Sequence, residues 1–182
     1  MTDDILTERL RLSRPHPSDL PEVFAIQSDP RVWTHYPSLR HTDPAQSVAM
    51  MERWERSWQE AGLGSWVARL RDTGEVVGNG GCTVLGGEVW NIGYRIAGDH
   101  HGKGYATELA RAGVEQARAR DPQRPVIAYL VEHNRASANV AVKLGLELVH
   151  RAPDVGNPDP TVMRLVFADR ELTSAQLAAA LR

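Results

Sequence analysis

Residues 93–108 read Gly93-Tyr94-Arg95-Ile96-Ala97-Gly98-Asp99-His100-His101-Gly102-Lys103-Gly104-Tyr105-Ala106-Thr107-Glu108. The segment leaves one periodicity and enters another. Glu88 to Ile96 has the composition of a strand. Residues 103 to 119 place Ala106, Leu109, Ala110, Gly113 and Ala117 on one helical face. Between the two, a pair of glycines separated by one residue lets the backbone turn sharply and approach a ligand closely. The helix that follows offers unpaired N–H groups and the positive end of its dipole, a combination that binds phosphate. The loop lacks the spacing and the Lys-Ser/Thr ending of a Walker loop, and it lacks the third glycine of a dinucleotide fingerprint. Taken alone, it is equally well a plain strand-to-helix turn.

Working outward, the segment upstream is a β section. Ser65 to Arg71, Val76 to Leu85 and Glu88 to Ile96 are joined by the turns Asp72-Thr73-Gly74-Glu75 and Gly86-Gly87, which predicts an antiparallel meander. Before it come two helices. Ser18 or Asp19 opens the first, with Glu22 in capping-box position, and Asp29-Pro30 stops it. Asp43-Pro44 opens the second, whose apolar stripe is Val48, Met51, Trp54 and Trp58. The alternating stretch Ile5 to Arg14 is predicted to be one strand. Downstream, Val126 to Val131 is a continuous apolar run of the kind found in a buried strand. Ser137 to Leu144 is a short helix. Leu146 to His150 and Thr161 to Phe167 are the last strands, and Leu172 to Leu181 is a final helix. The order predicts an α+β fold: a mixed sheet of about seven strands flanked by helices. Residues 88 to 131 should form a parallel strand–helix–strand crossover.

Length and composition agree with one domain over residues 1–182, with a core at about 5–168 and a C-terminal helix at about 172–181. The chain has 182 residues, 42% of them apolar and 24% charged, and a formal net charge of -2. That balance argues against a broad nucleic-acid surface. No apolar run reaches the length of a membrane span. The acidic start Met1-Thr2-Asp3-Asp4 lacks the layout of a signal peptide, and Cys82 is the single cysteine, so a cytoplasmic location is the expectation. Oligomeric state is open, a homodimer included.

A second signal is Glu132-His133-Asn134-Arg135-Ala136-Ser137, where the buried strand ends and the next helix begins. Lys143-Leu144-Gly145-Leu146 follows six residues later. Asn134 and Ser137 are also ordinary turn and cap residues.

Together, Gly93-Tyr94-Arg95-Ile96, Gly102-Lys103-Gly104-Tyr105-Ala106-Thr107-Glu108, Asn134-x-x-Ser137 and Lys143-Leu144-Gly145-Leu146 closely resemble the GNAT N-acetyltransferase superfamily. The likeness is greatest to its branch of ribosomal-protein N-terminal (alanine or serine) acetyltransferases, which the opening Thr7-Glu8-Arg9-Leu10-Arg11-Leu12 also fits. The resemblance implies a twisted sheet splayed near its middle, with acetyl-CoA as co-substrate wedged in the V and no metal. Tyr94, Arg95 and Ile96 would offer backbone groups to the pantetheine arm, as an added strand would. His101, Gly102, Lys103, Gly104, Tyr105 and Ala106 would cradle the pyrophosphate. Asn134 and Lys143 would contact the cofactor, and Ser137 would do so too while serving as candidate general acid for the departing thiolate. Trp33, His35 and Tyr36 would line the site of the acceptor, a small-molecule amine or the N-terminal amine of a peptide. Two positions depart from the pattern. His101 stands where Gln or Arg is usual. Asn91 stands where the branch often has a glutamate general base, which leaves Glu88, His35 or water as substitutes. A non-catalytic acetyl-CoA-binding module of the same fold is the rival reading.

Overall fold

The computed structural model describes residues 4–181, so Met1 to Asp3 and Arg182 lie outside it. Eight strands form one sheet in the order β1-β2-β3-β4-β5-β6-β8-β7. They are β1 (Ile5–Leu6), β2 (Leu10–Ser13), β3 (Ser65–Leu70), β4 (Val76–Leu85), β5 (Val89–Ile96), β6 (Val126–Val131), β7 (Glu147–Pro153) and β8 (Met163–Ala168). The helices are α1 (Leu20–Ser28), α2 (Pro44–Ala61), α3 (Tyr105–Arg120), α4 (Arg135–Lys143) and α5 (Ser174–Ala180). Among the described residues no helix is long and apolar enough to cross a membrane.

The count is eight strands because the stretch Ile5–Arg14 folds back on itself. The Leu10 N–H donates to the Thr7 hydroxyl oxygen at 3.0 Å, and the Thr7 N–H donates to the Leu10 carbonyl at 2.9 Å. This turn makes β1 and β2 an antiparallel pair, Ile5 opposite Leu12. Asp19 also departs from expectation. It precedes α1 without capping it, accepts from the His16 N–H at 2.8 Å, and is paired with Arg69 at 2.6 Å. At 5% exposure its carboxylate needs a cation more than a helix terminus does. The second helix behaves as read: Asp43 accepts from the Ala45 N–H and Gln46 completes the capping box.

Helices α3 and α4 cover one face of the sheet, where Trp66, Trp90, Ile92, Leu109, Val126 and Leu146 form the main core. On the other face α1 and α2 pack over β3 and β4 through Val23, Trp54 and Val67, while α5 covers the β5–β6–β8 region through Ala180.

The decisive feature is the central pair. Strand β5 lies parallel to β6, but only Trp90↔Val126 and Asn91↔Ile127 are in register. Beyond Asn91 the strands part: β5 continues against β4 as far as Gly78↔Ile96, and β6 continues against β8 as far as Val131↔Arg164. A sheet that separates midway leaves the backbone groups of Gly93–Ile96 without a strand on the β6 side. Backbone groups of that kind need a partner.

Candidate active site at the parting of two strands

The glycine loop sits at the mouth of the V. Gly102 and Gly104 have φ of +75° and +85°, a region that a Cβ disfavours. A Cβ built on Gly102 would meet nothing within 4 Å, so the space above the loop is open. Gly104 is the N-cap of the 16-residue α3 and supplies no side-chain cap, so the first N–H groups of that helix face the loop. Arg9 holds the loop from behind. Its guanidinium donates to the Lys103 carbonyl at 2.8 Å, pairs with Glu108 at 2.7 Å and lies 4.5 Å from the centre of the Tyr105 ring. Glu108 is held below its ordinary range by hydrogen bonds from Thr7 and Arg9, against an opposing effect of burial.

A cleft of about 510 Å³ runs from this loop into the V. Its walls include Tyr94, Arg95, Ile96, His101, Gly102, Gly104, Tyr105 and Ala106 on one side, and His133, Asn134 and Ser137 on the other. Most of the cofactor residues expected from sequence therefore share one cavity. The His101 ring is within 2.9 Å of the Ile96 carbonyl, which ties the loop to the end of β5. Asn134 caps α4 by accepting from the Ser137 N–H at 3.1 Å. The Ser137 hydroxyl faces the Tyr94 phenol, which burial pushes above its ordinary range while that hydroxyl and Arg95 oppose the rise. Burial thus favours the protonated phenol, and Tyr94 lines the cleft. Two residues lie apart from the walls of the cleft. The Lys103 side chain turns toward His100, 3.5 Å away, and Lys143 is exposed in the last turn of α4.

A second recess, of about 920 Å³, lies on the α1/α2 face. It is lined by Trp33, Trp54, Asn79, Asn91, Gly93, Arg95 and Tyr129 among others. The two cavities have Tyr94 and Arg95 in common. Arg95 is therefore the seam between the glycine-loop cleft and the groove. Its guanidinium lies 4.2 Å from the centre of the Trp33 ring and donates to the Tyr94 carbonyl at 2.7 Å. Trp33 in turn stacks on His35 with centroids 6.1 Å apart. Burial, with Arg95 and His133 nearby, drives the His35 pKa down to about 4, so the ring is neutral at pH 7. Tyr36 faces a third recess beside Asp154 and Arg164. The predicted acceptor residues thus spread over three adjoining cavities that all touch Arg95.

The substitutes for a general base fall in different places. Asn91 lies in the closed part of β5, and its Oδ1 is buried without a hydrogen-bond partner. Glu88 is exposed in the β4–β5 turn, six residues or roughly 20 Å of strand before Tyr94, and it lines neither cleft. The structure thus places Glu88 apart from the seam. His35 is in contact with the cleft, held by a hydrogen bond from the His133 ring to its carbonyl at 2.8 Å.

Sequence reasoning passed over the side chains of Tyr94, Arg95 and Asn79. A signal was present. Asn91, Gly93 and Arg95 alternate with Ile92, Tyr94 and Ile96 in a central strand. A central strand covered on both faces should be apolar on both. Polar residues and a glycine at every second position mark a face that is not packed.

The fold has counterparts among known proteins. Residues 9–147 match the model of the GNAT acetyltransferase domain. The chain is 31% identical over 148 residues to the protein YkkB of Bacillus subtilis (strain 168), covering 78% of this chain and 84% of that protein. Among solved structures, an acetyltransferase from Agrobacterium tumefaciens strain C58 is 26% identical and superposes with a TM-score of 0.74 over 94% of this chain and 96% of its own. RimL, a ribosomal L7/L12 alpha-N-protein acetyltransferase solved in complex with coenzyme A, is 16% identical with a TM-score of 0.77 over 95% of this chain and 99% of its own. The chain belongs to the GNAT family of acetyltransferases. It is an acyltransferase, and its fold is shared with the ribosomal-protein branch.

Proposed function

We propose that the protein transfers an acetyl group from acetyl-CoA to a primary amine by direct attack in a ternary complex. The observation that carries this reading is the junction of the two cavities at Tyr94 and Arg95, where β5 has left β6. Acetyl-CoA would lie in the loop cleft. Its pyrophosphate would rest on the N–H groups of residues 101–106, and its pantetheine arm would pair with the unmatched backbone of β5. The thioester would then stand at the seam, open to an amine arriving from the groove. Holding both reactants in near-attack geometry removes much of the entropic barrier. Backbone N–H groups of the open strand would polarise the carbonyl.

Proton traffic in this reading falls to the chain's own residues. The Tyr94 phenol, protonated at working pH and beside the Ser137 hydroxyl, is suited to protonate the departing thiolate. No carboxylate stands at position 91, and the neutral ring of His35 is a weak base. The amine therefore has to arrive deprotonated, which favours an N-terminal α-amine. At pH 7.5 an amine of pKa about 7.9 is roughly 30% neutral, whereas a lysine of pKa about 10.4 is about 0.1% neutral.

The test mixes the protein with acetyl-CoA and either an N-terminal peptide amine or an internal-lysine peptide, and follows thiol release with mass detection of the product. Acetylation of the α-amine with a slow lysine reaction is expected. Acetyl-CoA binding without transfer to any amine would make the protein a binding module. Equal rates for the two amines at pH 7.5 would remove the argument from Asn91.

A further inference from the structure

The groove side of the seam holds a cluster of hydrogen-bond donors that the transfer reaction does not use. Asn79 and Arg95 lie directly opposite each other on β4 and β5. The Asn79 Oδ1 accepts from the Gln27 amide at 3.3 Å, which leaves its Nδ2 buried and unpaired. Arg95 Nε is likewise buried and unpaired, and so is the Trp33 indole Nε1, whose ring packs against the guanidinium. Three N–H groups without a partner thus belong to residues from three separate segments that line one groove, where Asn91 Oδ1 is unpaired as well. An unsatisfied buried donor is costly, and native proteins keep few of them except where a ligand supplies the partner.

The charges of the groove point the same way. Among the described residues no carboxylate pairs with Arg95, whose one hydrogen bond is to its neighbour's carbonyl. Arg53 of α2 lines the same groove, exposed and without an ion pair among the described residues. Its acidic lining residues, Glu60 and Asp121, lie near the far ends of α2 and α3, and Asp121 is already beside Arg124. Gly93 precedes Arg95 by two residues on the same strand, and a Cβ there would meet nothing within 4 Å, so the floor beside the guanidinium is open. Planar donors from an indole, an amide and a guanidinium suit a planar two-oxygen anion.

We propose that the groove recognises an acceptor whose amine stands a few bonds from a carboxylate, and that Arg95, Asn79 and Trp33 hold this carboxylate while the amine reaches the seam. The inference rests on the transferase reading above. It accounts for the unpaired donors and for the location of Arg95, one residue beyond Tyr94. The carboxylate has two available sources: an acidic first side chain on a peptide, or the α-carboxylate of a free amino acid.

The experiment compares matched acceptors under one set of conditions. Peptide amides led by Glu or Asp are set against the same peptides led by Gln or Asn, and free alanine is set against alaninamide. For wild type, kcat/KM should favour the carboxylate member of a pair by about 10- to 100-fold, and which pair shows the preference identifies the source. In Arg95→Gln the ratio within that pair should fall close to one, whatever the absolute rate. Trp33→Phe, which keeps the ring and removes one N–H, should lower the ratio severalfold. Equal rates within every pair for wild type would overturn the inference and leave the transferase reading standing. So would a ratio that survives in Arg95→Gln, or a tenfold preference for an aminophosphonate twin over the carboxylate. If acetyl-CoA binds and no amine in the panel is acetylated, the transferase reading falls and takes the inference with it.

Discussion

The two halves of β5 differ in little but their neighbours. Val89 to Asn91 lies between β4 and β6, and Val89 and Trp90 are fully buried. Gly93 to Ile96 is bonded to β4 on one side and faces a cavity on the other. The first half is scaffold. The second half carries the seam, the unmatched backbone and the cation that the groove leaves unpaired. A strand that runs five residues past its pairing with β6 is enough to turn a piece of core into an open edge. The difference teaches that function in this sheet comes from where a ladder stops.

The comparison breaks first at the closed end. Trp90→Ala removes a large side chain that is 0% exposed, and should cost about 3–5 kcal/mol of stability in a urea titration. A loss below about 1 kcal/mol would mean that the closed half is not the scaffold described. At the open end the expected effect is on the ligand. Gly104→Val forces a branched side chain to a φ of +85° and sets its Cβ 3.3 Å from the Arg9 guanidinium. Acetyl-CoA affinity should fall about 100-fold by calorimetric titration. An affinity within threefold of wild type would make the loop a structural turn.

Asn134→Ser sharpens the contrast further. Serine can still cap α4, so thermal stability should stay within a few degrees of wild type. Loss of the amide should weaken acetyl-CoA binding about tenfold. If binding holds and stability drops, Asn134 is a cap alone. The smallest effect concerns pH. In the unfolded chain His35 takes a proton near pH 6.5, but in the folded protein only near pH 4. Between these values the unfolded state binds more protons, so stability is fully present above about pH 6.5 and declines as the pH falls toward 4. With the ring partly exposed, its share is about 1 kcal/mol between pH 7.5 and 5.0 after allowance for solvent screening. His35→Asn should flatten the pH dependence of the urea midpoint by that amount, and parallel curves for the two proteins would place the ring in solvent.

The elements were legible because their signals are local. Val126–Val131 was read to the residue from a continuous apolar run, and α2 from Asp43-Pro44 at one end and Gly62 at the other. The glycine loop and the cap at Asn134 were legible for the same reason, since a turn and a cap depend on neighbours in the chain. Where sequence fell short, a distant residue had outbid a near one. Asp19 turned to Arg69 rather than to its own helix, and Thr7 broke an alternating strand into a hairpin. Glu88 looked close to the site in sequence, yet a strand carries it away at about 3.3 Å per residue.

The sequence by itself determined the class of fold, the order of its elements after the first hairpin and the glycine loop before α3, since each depends on periodicity, turn chemistry or glycine φ over a few residues. Only the tertiary structure decided where β5 and β6 separate. Their register is set by side chains packed on both faces of the sheet, from α3 and α4 on one and from α1, α2 and α5 on the other. Only that packing could bring Trp33, Asn79 and Arg95 together across more than 60 positions of sequence, leaving a donor of each unpaired beside one groove. Short-range physics writes the elements, and the site is a property of their contacts.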